Sequence, residues 1–351
     1  MKRKMVKPRI PLGEIEICEH GGKVEKAKVE EIIDFSTNLN PYGPPDFVFS
    51  AIKETMTEIK MYPDTESREL REKISKKFEC KEEEVLVGAG VSELIQLAAL
   101  AFVRDRVLMP KHTYGEYAVV AKMMGAEIKR IEMPGLQIYP ELIVEEMKQN
   151  DVVFLCNPNN PTGQYLGKEE LGQIIKEAER VDAGLVMDEA YIDFVENAFP
   201  SYDFSTQNLI ILRSMTKSYA IPGIRLGYAI SSEENIRAMR KVKVPWSVSV
   251  FAQKIGLAAM EADNFLTDTR KKIERSKVRI ENKFRELDIH LHSDANFYIL
   301  DVGKAKEVKR ELLKQGLLVR DCTSFGLPSH IRFSVRKEEE NERLIDALGG
   351  K

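Results

Sequence analysis

Short apolar runs alternate with amphipathic stretches along the first two thirds of the chain. The runs are bounded by turn residues and show no polar alternation, which is typical of strands buried on both faces of a parallel sheet. They lie at 85–87, 107–109, 152–156, 184–187 and 208–212. Helical periodicity predicts helices near 46–59, 67–78, 91–102 and 168–180. The alternation therefore predicts an α/β layer fold with a mainly parallel sheet.

The pattern changes near residue 245. A long charged helix is predicted there over 264–287, and short strands follow it at 297–300, 317–319 and 331–335. At the other end of the chain, DFSTNLNPYGPP (34–45) predicts an extended arm with turns. The predicted division is an arm that joins the small domain, a large domain, and a small α+β domain, at 1–45, 46–245 and 246–351.

Composition and charge exclude several classes of protein. The 351 residues are 43% hydrophobic and 31% charged, which is ordinary for a globular protein of about two domains. A net charge of -3 argues against a nucleic-acid-binding module, because no overall basic field is present. No apolar run of about 18 residues and no signal-peptide core are found, so we expect no membrane association. The cysteines, without a CxxC pair, predict reduced thiols in a cytoplasmic protein and no metal site: Cys18, Cys80, Cys156 and Cys322.

The segment RSMTKSYAIPGIRLG (213–227) carries the most specific chemical signal. It begins where a predicted strand ends, and open α/β sheets bind ligands at the carboxyl ends of their strands. The hydroxyls of Ser214 and Thr216 and the guanidinium of Arg225 surround the amine of Lys217, an arrangement that can grip a phosphate beside a nucleophile. Arg225 would also lower the pKa of Lys217 by like-charge repulsion. A lone lysine at this position is more often a solvated strand end.

A second segment, LVMDEAYIDF (185–194), ends a buried strand at Asp188. An unpaired carboxylate would be costly there, so Asp188 is either a helix cap or core ion pair, or the partner of a protonated ring nitrogen in a cofactor. Tyr191, three residues later, could face the same site.

A third segment, CNPNNPTG (156–163), predicts a rigid turn directly after another buried strand. Asn157 could donate a hydrogen bond into the site from this turn, although a plain turn would explain Asn159 and Asn160 equally well.

In a fourth segment, VGAGVSEL (87–94), a strand passes through Gly-Ala-Gly into a helix. Backbone N–H groups at a helix start suit a phosphate. The dinucleotide pattern G-x-G-x-x-G fails because Glu93 stands where the third glycine is needed, and its charge would repel a pyrophosphate. The segment therefore predicts one phosphate rather than two.

Together, S-x-T-K with G-x-R-x-G, D-E-A-Y and N-P-N-N-P-T-G resemble the fold type I pyridoxal-phosphate enzymes of the class II aminotransferase kind, from about residue 20 to 348. The resemblance implies a large mixed, mainly parallel sheet domain, a smaller α+β domain and the cofactor pyridoxal 5'-phosphate. Lys217 would be the Schiff-base lysine, and Asp188 would bind the pyridine nitrogen. Asn157 and Tyr191 would contact the ring hydroxyl.

The resemblance also implies how the rest of the cofactor is held. Tyr114 would stack on the ring, and the phosphate would be held by the backbone of Ala89 and Gly90 with Ser214 and Arg225. Tyr62 would reach the phosphate of the other subunit, which implies a homodimer with shared active sites.

Two families of this group, both binding amino-alkyl phosphates, fit the chain: L-threonine-O-3-phosphate decarboxylases and histidinol-phosphate aminotransferases. Resemblance to the decarboxylases lies in HGG (20–22), DFSTNLNP (34–41), VPWSVS (244–249) and the C-terminal LVRDCTSFGL (318–327) with IRFSV (331–335). By this resemblance the phosphate and carboxylate of the substrate would be held by His20, Asn38, Asn157, Arg320 and Arg332.

The expected reaction is decarboxylation of L-threonine-O-3-phosphate to (R)-1-amino-2-propanol O-phosphate, a precursor of the cobalamin side chain. Amino transfer from histidinol phosphate to 2-oxoglutarate is the alternative, and Tyr191 favours it because several decarboxylases carry Phe there. A non-catalytic protein on the same fold is disfavoured because Lys217 and Asp188 are both present.

Overall fold

The computed structural model describes residues 15, 21–22 and 32–349 of the chain. The strands are β1 (Ile33–Asp34), β2 (Val85–Gly88), β3 (Arg106–Pro110), β4 (Glu127–Ile131), β5 (Val152–Cys156), β6 (Gly184–Asp188), β7 (Leu209–Ser214), β8 (Gly227–Ile230), β9 (Phe297–Asp301), β10 (Leu317–Leu318), β11 (Arg320–Asp321) and β12 (His330–Ser334). The α-helices are α1 (Asp46–Thr55), α2 (Arg68–Lys77), α3 (Val91–Phe102), α4 (Glu116–Met124), α5 (Pro140–Glu146), α6 (Lys168–Val181), α7 (Met215–Ser218), α8 (Glu233–Val242), α9 (Val250–Met260), α10 (Asp263–Glu286), α11 (Ala305–Lys314) and α12 (Glu338–Gly349).

A seven-stranded sheet forms the centre of the large layer, in the order β2-β8-β7-β6-β5-β3-β4. Strand β8 runs antiparallel to both of its neighbours, β2 and β7, and the other pairs are parallel. The register places Cys156 beside Asp188 and Asp188 beside Leu212, so β5, β6 and β7 end at the same edge. The predicted α/β layer fold with a mainly parallel sheet is confirmed.

Helices cover the sheet through apolar stripes. In α6, Leu171, Ile174, Ile175 and Ala178 follow a helical spacing and are all buried. The helix ends at Asp182, whose left-handed conformation (φ 60°) stops the hydrogen-bond ladder. This face packs into an apolar cluster with β5 and β6, and the exposed charges lie on the opposite side.

A three-stranded antiparallel sheet, β11-β12-β9, forms the second layer, and β1 pairs in parallel with β10. The described part of the predicted arm, Ile33 and Asp34, therefore pairs with β10 in the C-terminal part of the chain. Helix α9 packs against α1 and α2 on the large layer, so the predicted boundary at residue 245 falls before an element that packs with the large sheet.

Two properties of the described residues concern the predictions from composition. No helix within them is long and apolar enough to cross a membrane. The thiols of Cys80, Cys156 and Cys322 are free, and Cys18 lies outside the described residues.

Candidate active site

A cavity of about 330 Å³ lies where the ends of β5, β6 and β7 meet the start of α3 and the strands β11 and β12. Most of the predicted site residues line it: Asn38, Tyr114, Asp188, Tyr191, Ser214, Lys217, Arg225, Arg320 and Arg332. The structure therefore brings together residues that are up to about 300 positions apart in the sequence.

Lys217 is held at the edge of the sheet by a short helix. Strand β7 ends at Ser214, whose hydroxyl accepts a hydrogen bond from the backbone N–H of Thr216 (3.3 Å) and so caps α7. Asn40 holds the other side of α7. Its backbone N–H donates to the carbonyl of Lys217 (3.0 Å), and its side-chain amide donates to the carbonyl of Ser218 (2.7 Å). The lysine amine is thus aimed by backbone contacts on both sides.

Burial is the largest cause of the low pKa of Lys217, which falls to about 8. Repulsion from the guanidinium groups of Arg332 and Arg225 acts in the same direction, and attraction to Asp188 opposes it. A substantial fraction of the amine is therefore neutral near physiological pH. Only a neutral amine can attack a carbonyl group, so the arrangement suits a nucleophile.

Asp188 ends β6 as a buried carboxylate with 3% of its surface exposed. Burial raises its pKa to about 6, although two hydrogen bonds and the charge of Lys217 oppose the rise. The hydroxyl of Tyr117 donates to Oδ2 (2.7 Å), and the backbone N–H of Ala190 donates to Oδ1 (3.0 Å). These donors stabilise the anion that a protonated ring nitrogen needs as a partner.

Tyr117 was missed by the sequence reasoning. It lies on α4, is fully buried, and stacks on Phe154 with 5.2 Å between the ring centroids. Tyr114 contacts it edge-on at 5.6 Å and lines the cavity. The spacing of three residues in KHTYGEY, close to one helical turn, was the available signal, since it allows both rings to face the same side.

The predicted phosphate grip is partly rearranged. The backbone N–H of Ala89 donates to the carboxylate of Glu93 (2.5 Å) and that of Gly90 donates to the carbonyl of Gly88 (2.8 Å), so both predicted donors are engaged within the chain. Residues Val91 and Ser92, at the start of α3, line the cavity instead. The N-terminus of α3, which carries a partial positive charge, therefore still lies at the cavity, and the residues that line it come one to two positions later than predicted.

Gly90 has a different role, which is to leave room for Arg225. Its φ of +83° is unfavourable for other residues, and a Cβ there would lie 2.6 Å from Nη2 of Arg225. Ser214 and Thr216 share a hydrogen bond of 2.8 Å beside this guanidinium. Hydroxyls, a guanidinium and a helix start thus surround one end of the cavity, which matches the donors that a phosphate requires.

The prediction for Asn157 is corrected by the structure. Its side chain donates to the carbonyl of Leu166 (3.0 Å) and accepts from the N–H of the same residue (2.8 Å), so it braces the turn. Asn160 lines the cavity instead, and its Oδ1 accepts a hydrogen bond from Arg332. The physical reason is that the side chain of Asn157 makes the hydrogen bonds that hold the turn, whereas the side chain of Asn160 faces the cavity.

Arg320 and Arg332 face each other across β11 and β12 in direct register. Arg332 donates to the carbonyl of Ser36 (2.7 Å), and Arg320 donates to the hydroxyl of Ser324 (2.7 Å). Burial first, and then the charge of Arg320, lowers the pKa of Arg332, while the Tyr191 hydroxyl opposes this. Two guanidinium groups at one place in a cavity make a site for anionic groups of a ligand.

The N-terminal segment closes this end of the cavity. Asn38 is 1% exposed and lines the cavity, where its side chain interacts with the hydroxyl of Tyr191. The N–H of Gly22 donates to Ser36 (2.8 Å), and a Cβ on Gly21 would lie 2.5 Å from the carbonyl of Ser36. These two glycines of HGG thus pack on the turn beside the cavity. His20 lies outside the described residues.

Tyr191 and Tyr62 occupy contrasting positions. Tyr191 is buried in the cavity wall edge-on to Phe297 at 5.0 Å, and burial raises its pKa. Tyr62 is 80% exposed, packs on Trp246 with tilted rings whose centroids are 4.7 Å apart, and does not line the cavity of its own chain. Its predicted contact with another subunit stays a prediction.

Comparison with known proteins places the chain in a family. The sequence profile of the aminotransferase class I and II family matches residues 30–348, and the chain belongs to this family. A protein of Caldanaerobacter subterraneus named "Putative threonine-phosphate decarboxylase" is 34% identical over 95% of this chain and 93% of its own length. Histidinol-phosphate aminotransferase 2 of Archaeoglobus fulgidus is 34% identical over 91% of this chain and 93% of its own.

Among solved structures, L-threonine-O-3-phosphate decarboxylase from Porphyromonas gingivalis matches with a TM-score of 0.80 and 26% identity, over 90% of this chain and 98% of that one. The fold type I prediction is confirmed, and the chain is a pyridoxal-phosphate-dependent enzyme with this fold. The cavity fits the cofactor, since it offers a half-buried lysine, a buried carboxylate and a cradle at Gly90 that a Cβ would fill.

Proposed function

We propose that the protein decarboxylates L-threonine-O-3-phosphate to (R)-1-amino-2-propanol O-phosphate. The observation that carries the proposal is the direct pairing of Arg320 with Arg332 in the cavity wall. Threonine phosphate has a phosphate and a carboxylate on one small molecule, so it can satisfy both guanidinium groups at once. Histidinol phosphate has no carboxylate and would bring one acidic group to this pair, whereas 2-oxoglutarate, its co-substrate in amino transfer, would bring two carboxylates in a separate half-reaction.

Three further features support a small substrate with two acidic groups. The buried amide of Asn38 lies in the same cavity and offers N–H donors to an anion. The glycines of HGG pack on Ser36, whose carbonyl also receives a hydrogen bond from Arg332, so the N-terminal segment and the arginine pair are joined. A relative at 34% identity and a solved structure at 26% carry the name of the decarboxylase.

Each residue has a distinct part in the proposed reaction. The cofactor supplies an electron sink for the electron pair left on the substrate Cα when a bond there breaks. Asp188, as an anion, would hold a proton on the ring nitrogen. Lys217 would carry a proton to the Cα after carbon dioxide has left. Arg225 and Ser214 would bind the cofactor phosphate, and the arginine pair would orient the substrate.

The orientation of the substrate decides between the two reactions. Only the Cα bond that is aligned with the electron sink is broken, which is the carboxylate bond in decarboxylation and the C–H bond in amino transfer. Arg332 is restrained by Asn160 and Ser36, so it can hold an anionic group at one fixed place. We assign to this restraint the selection of the carboxylate bond.

The test measures both reactions on one preparation of cofactor-loaded protein. L-Threonine-O-3-phosphate is expected to release carbon dioxide without 2-oxoglutarate. Histidinol phosphate with 2-oxoglutarate is the parallel assay, with glutamate as the measured product. Release of no carbon dioxide, together with formation of glutamate, would contradict the proposal and favour the second candidate.

That second candidate, histidinol-phosphate aminotransferase, is favoured by Tyr191. Its side chain lines the cavity, and tyrosine is the aminotransferase-like choice at this place. Several relatives at 30–33% identity also bear this name.

We also propose that the protein is a homodimer with shared active sites. An exposed apolar surface supports this, because it joins two segments of chain through the contact of Tyr62 with Trp246. Its members are Met56, Ile59, Met61, Tyr62, Val244 and Trp246. Light scattering is expected to give twice the chain mass, and Tyr62→Ala is expected to weaken cofactor binding. A monomeric holoenzyme would contradict both.

A further inference from the structure

We propose that Phe325 determines substrate specificity by limiting the size of the group that a phosphorylated amine carries on its Cα, which is a carboxylate in threonine phosphate and an imidazolylmethyl group in histidinol phosphate. The inference rests on the proposed function, because it concerns the substrate of the same site. It adds an uncharged residue, which selects among amino-alkyl phosphates by the space that its ring fills.

Phe325 lies in the short turn Thr323–Phe325 between β11 and β12, and its side chain lines the cavity. The ring centroid is 5.7 Å from the guanidinium carbon of Arg320 and 6.0 Å from that of Arg332. Since the two arginines are direct partners across the strands, one ring contacts both. The ring therefore stands at the point where the acidic groups of a substrate would bind.

This arrangement has a chemical consequence for the arginines. A guanidinium group packs on an aromatic ring with its face and keeps its N–H donors in its own plane. The ring attracts both cations, which offsets part of their repulsion before a ligand arrives. It also takes up room at this end of the cavity, so a substrate with a bulkier group than a carboxylate on its Cα can place that group beside the arginines only by displacing the ring.

The turn that carries Phe325 is held by contacts of its backbone and of its neighbours. Nδ1 of His112 donates a hydrogen bond to the carbonyl of Phe325 (2.7 Å), and Ser324 accepts one from Arg320. Gly326 follows with a φ of +77°, and a Cβ there would lie 3.4 Å from His112. His112 stands two residues before Tyr114, which lines the cavity. The turn of Phe325 is thus tied to the segment that is expected to stack on the cofactor.

The test compares two ligands in cofactor-loaded Phe325→Leu and Phe325→Ala proteins. Dissociation constants for L-threonine-O-3-phosphate and L-histidinol phosphate are measured by absorbance titration, and kcat/KM is measured for each. Phe325→Ala is expected to shift the preference toward histidinol phosphate by about 10-fold or more, and Phe325→Leu by less, since leucine fills more of the space. The binding of threonine phosphate should weaken in both.

Phe297→Leu is the matched control. Phe297 also packs on Arg332, at 5.4 Å, but it is fully buried and lies outside the set of described residues that lines the cavity. Its replacement should weaken both ligands by a similar factor and leave their ratio unchanged. An unchanged ratio in Phe325→Ala, or an equal shift in Phe297→Leu, would overturn the inference.

The outcomes separate this inference from the proposed function. A wild-type protein that converts threonine phosphate, with a ratio that stays within about 2-fold in both Phe325 variants, removes the role of Phe325 alone. A wild-type protein that binds neither phosphate removes the proposed function and the inference with it. Circular dichroism and cofactor absorbance establish that each variant is folded, and the leucine variant keeps the test valid if the alanine variant unfolds.

Discussion

Removing the hydroxyl of Tyr117 tests whether Asp188 is kept anionic by its hydrogen bonds. In Tyr117→Phe the ring can keep its stack on Phe154, and the lost contact is the 2.7 Å bond to Oδ2. A hydrogen bond to a charged group contributes about 1.5–3 kcal/mol, and about 1.4 kcal/mol corresponds to one pKa unit. Asp188 has a pKa of about 6 with both donors in place. The variant should therefore raise the pKa of Asp188 by roughly one to two units, so that the carboxyl is largely protonated at neutral pH.

The apo-protein gives the first measurement. Infrared or carbon-13 titration should show the raised pKa of Asp188 directly. Stability against pH gives a second view: the folded pKa lies above the unfolded value of 3.8, so the contribution of Asp188 to stability is highest below that value and falls as pH rises through the folded pKa. The fall should end near pH 6 in the wild type and extend about one to two units higher in Tyr117→Phe. Cofactor affinity should decrease as well, since a neutral acid is a poor partner for a protonated ring nitrogen.

Tyr298→Phe is the matched control, because the hydroxyl of Tyr298 also donates to a carboxylate, Glu281, at 2.7 Å, and the residue is likewise buried. This control should lose stability without changing the pKa of Asp188 or the affinity for the cofactor. An unchanged pKa of Asp188 in Tyr117→Phe, or equal loss of cofactor affinity in both variants, would refute the reasoning.

Two further predictions concern the lysine and the phosphate end of the site. The pKa of Lys217 is lowered to about 8 in the folded protein and is 10.5 in the unfolded chain, so the contribution of Lys217 to apo-protein stability should rise between about pH 8 and 10.5, and this contribution should be absent in Lys217→Gln. Gly90→Ala should weaken cofactor binding by crowding Arg225, whereas Gly135→Ala, also at positive φ but facing open space, should cost only about 1 kcal/mol of stability. Equal cofactor affinity in the two glycine variants, measured by absorbance titration, would contradict the second prediction.

Site residues could be predicted from the sequence where a chemically distinctive side chain directly follows a buried strand. Lys217 and Asp188 could be predicted because each follows a buried apolar run, and such runs end at one edge of a parallel sheet. Helix α3 was predicted with its observed bounds, since glycine precedes it and an apolar stripe fills it.

Other features could not be predicted, because they depend on how the backbone turns. The choice between Asn157 and Asn160 is made by the fold of one tight turn, which the residue types alone leave open. Strand β4 has a mixed burial pattern and β8 is four residues long with a glycine, so neither shows a continuous apolar run. Tyr117 acts through Asp188, a contact that requires the packing of α4 on the sheet.

The reversed direction of β8 has a consequence for how the site tolerates change. Because β8 returns beside β7, with Gly227 opposite Ser214, the nucleophile and the guanidinium at 225 lie on the single β7–β8 loop, which also contains α7. The distance between these two groups therefore depends on the length of this loop and not on how the two layers of the protein pack together. Lengthening or shortening that loop by a single residue should misplace one group relative to the other, whereas insertions between the remaining elements of the site would leave this pair intact.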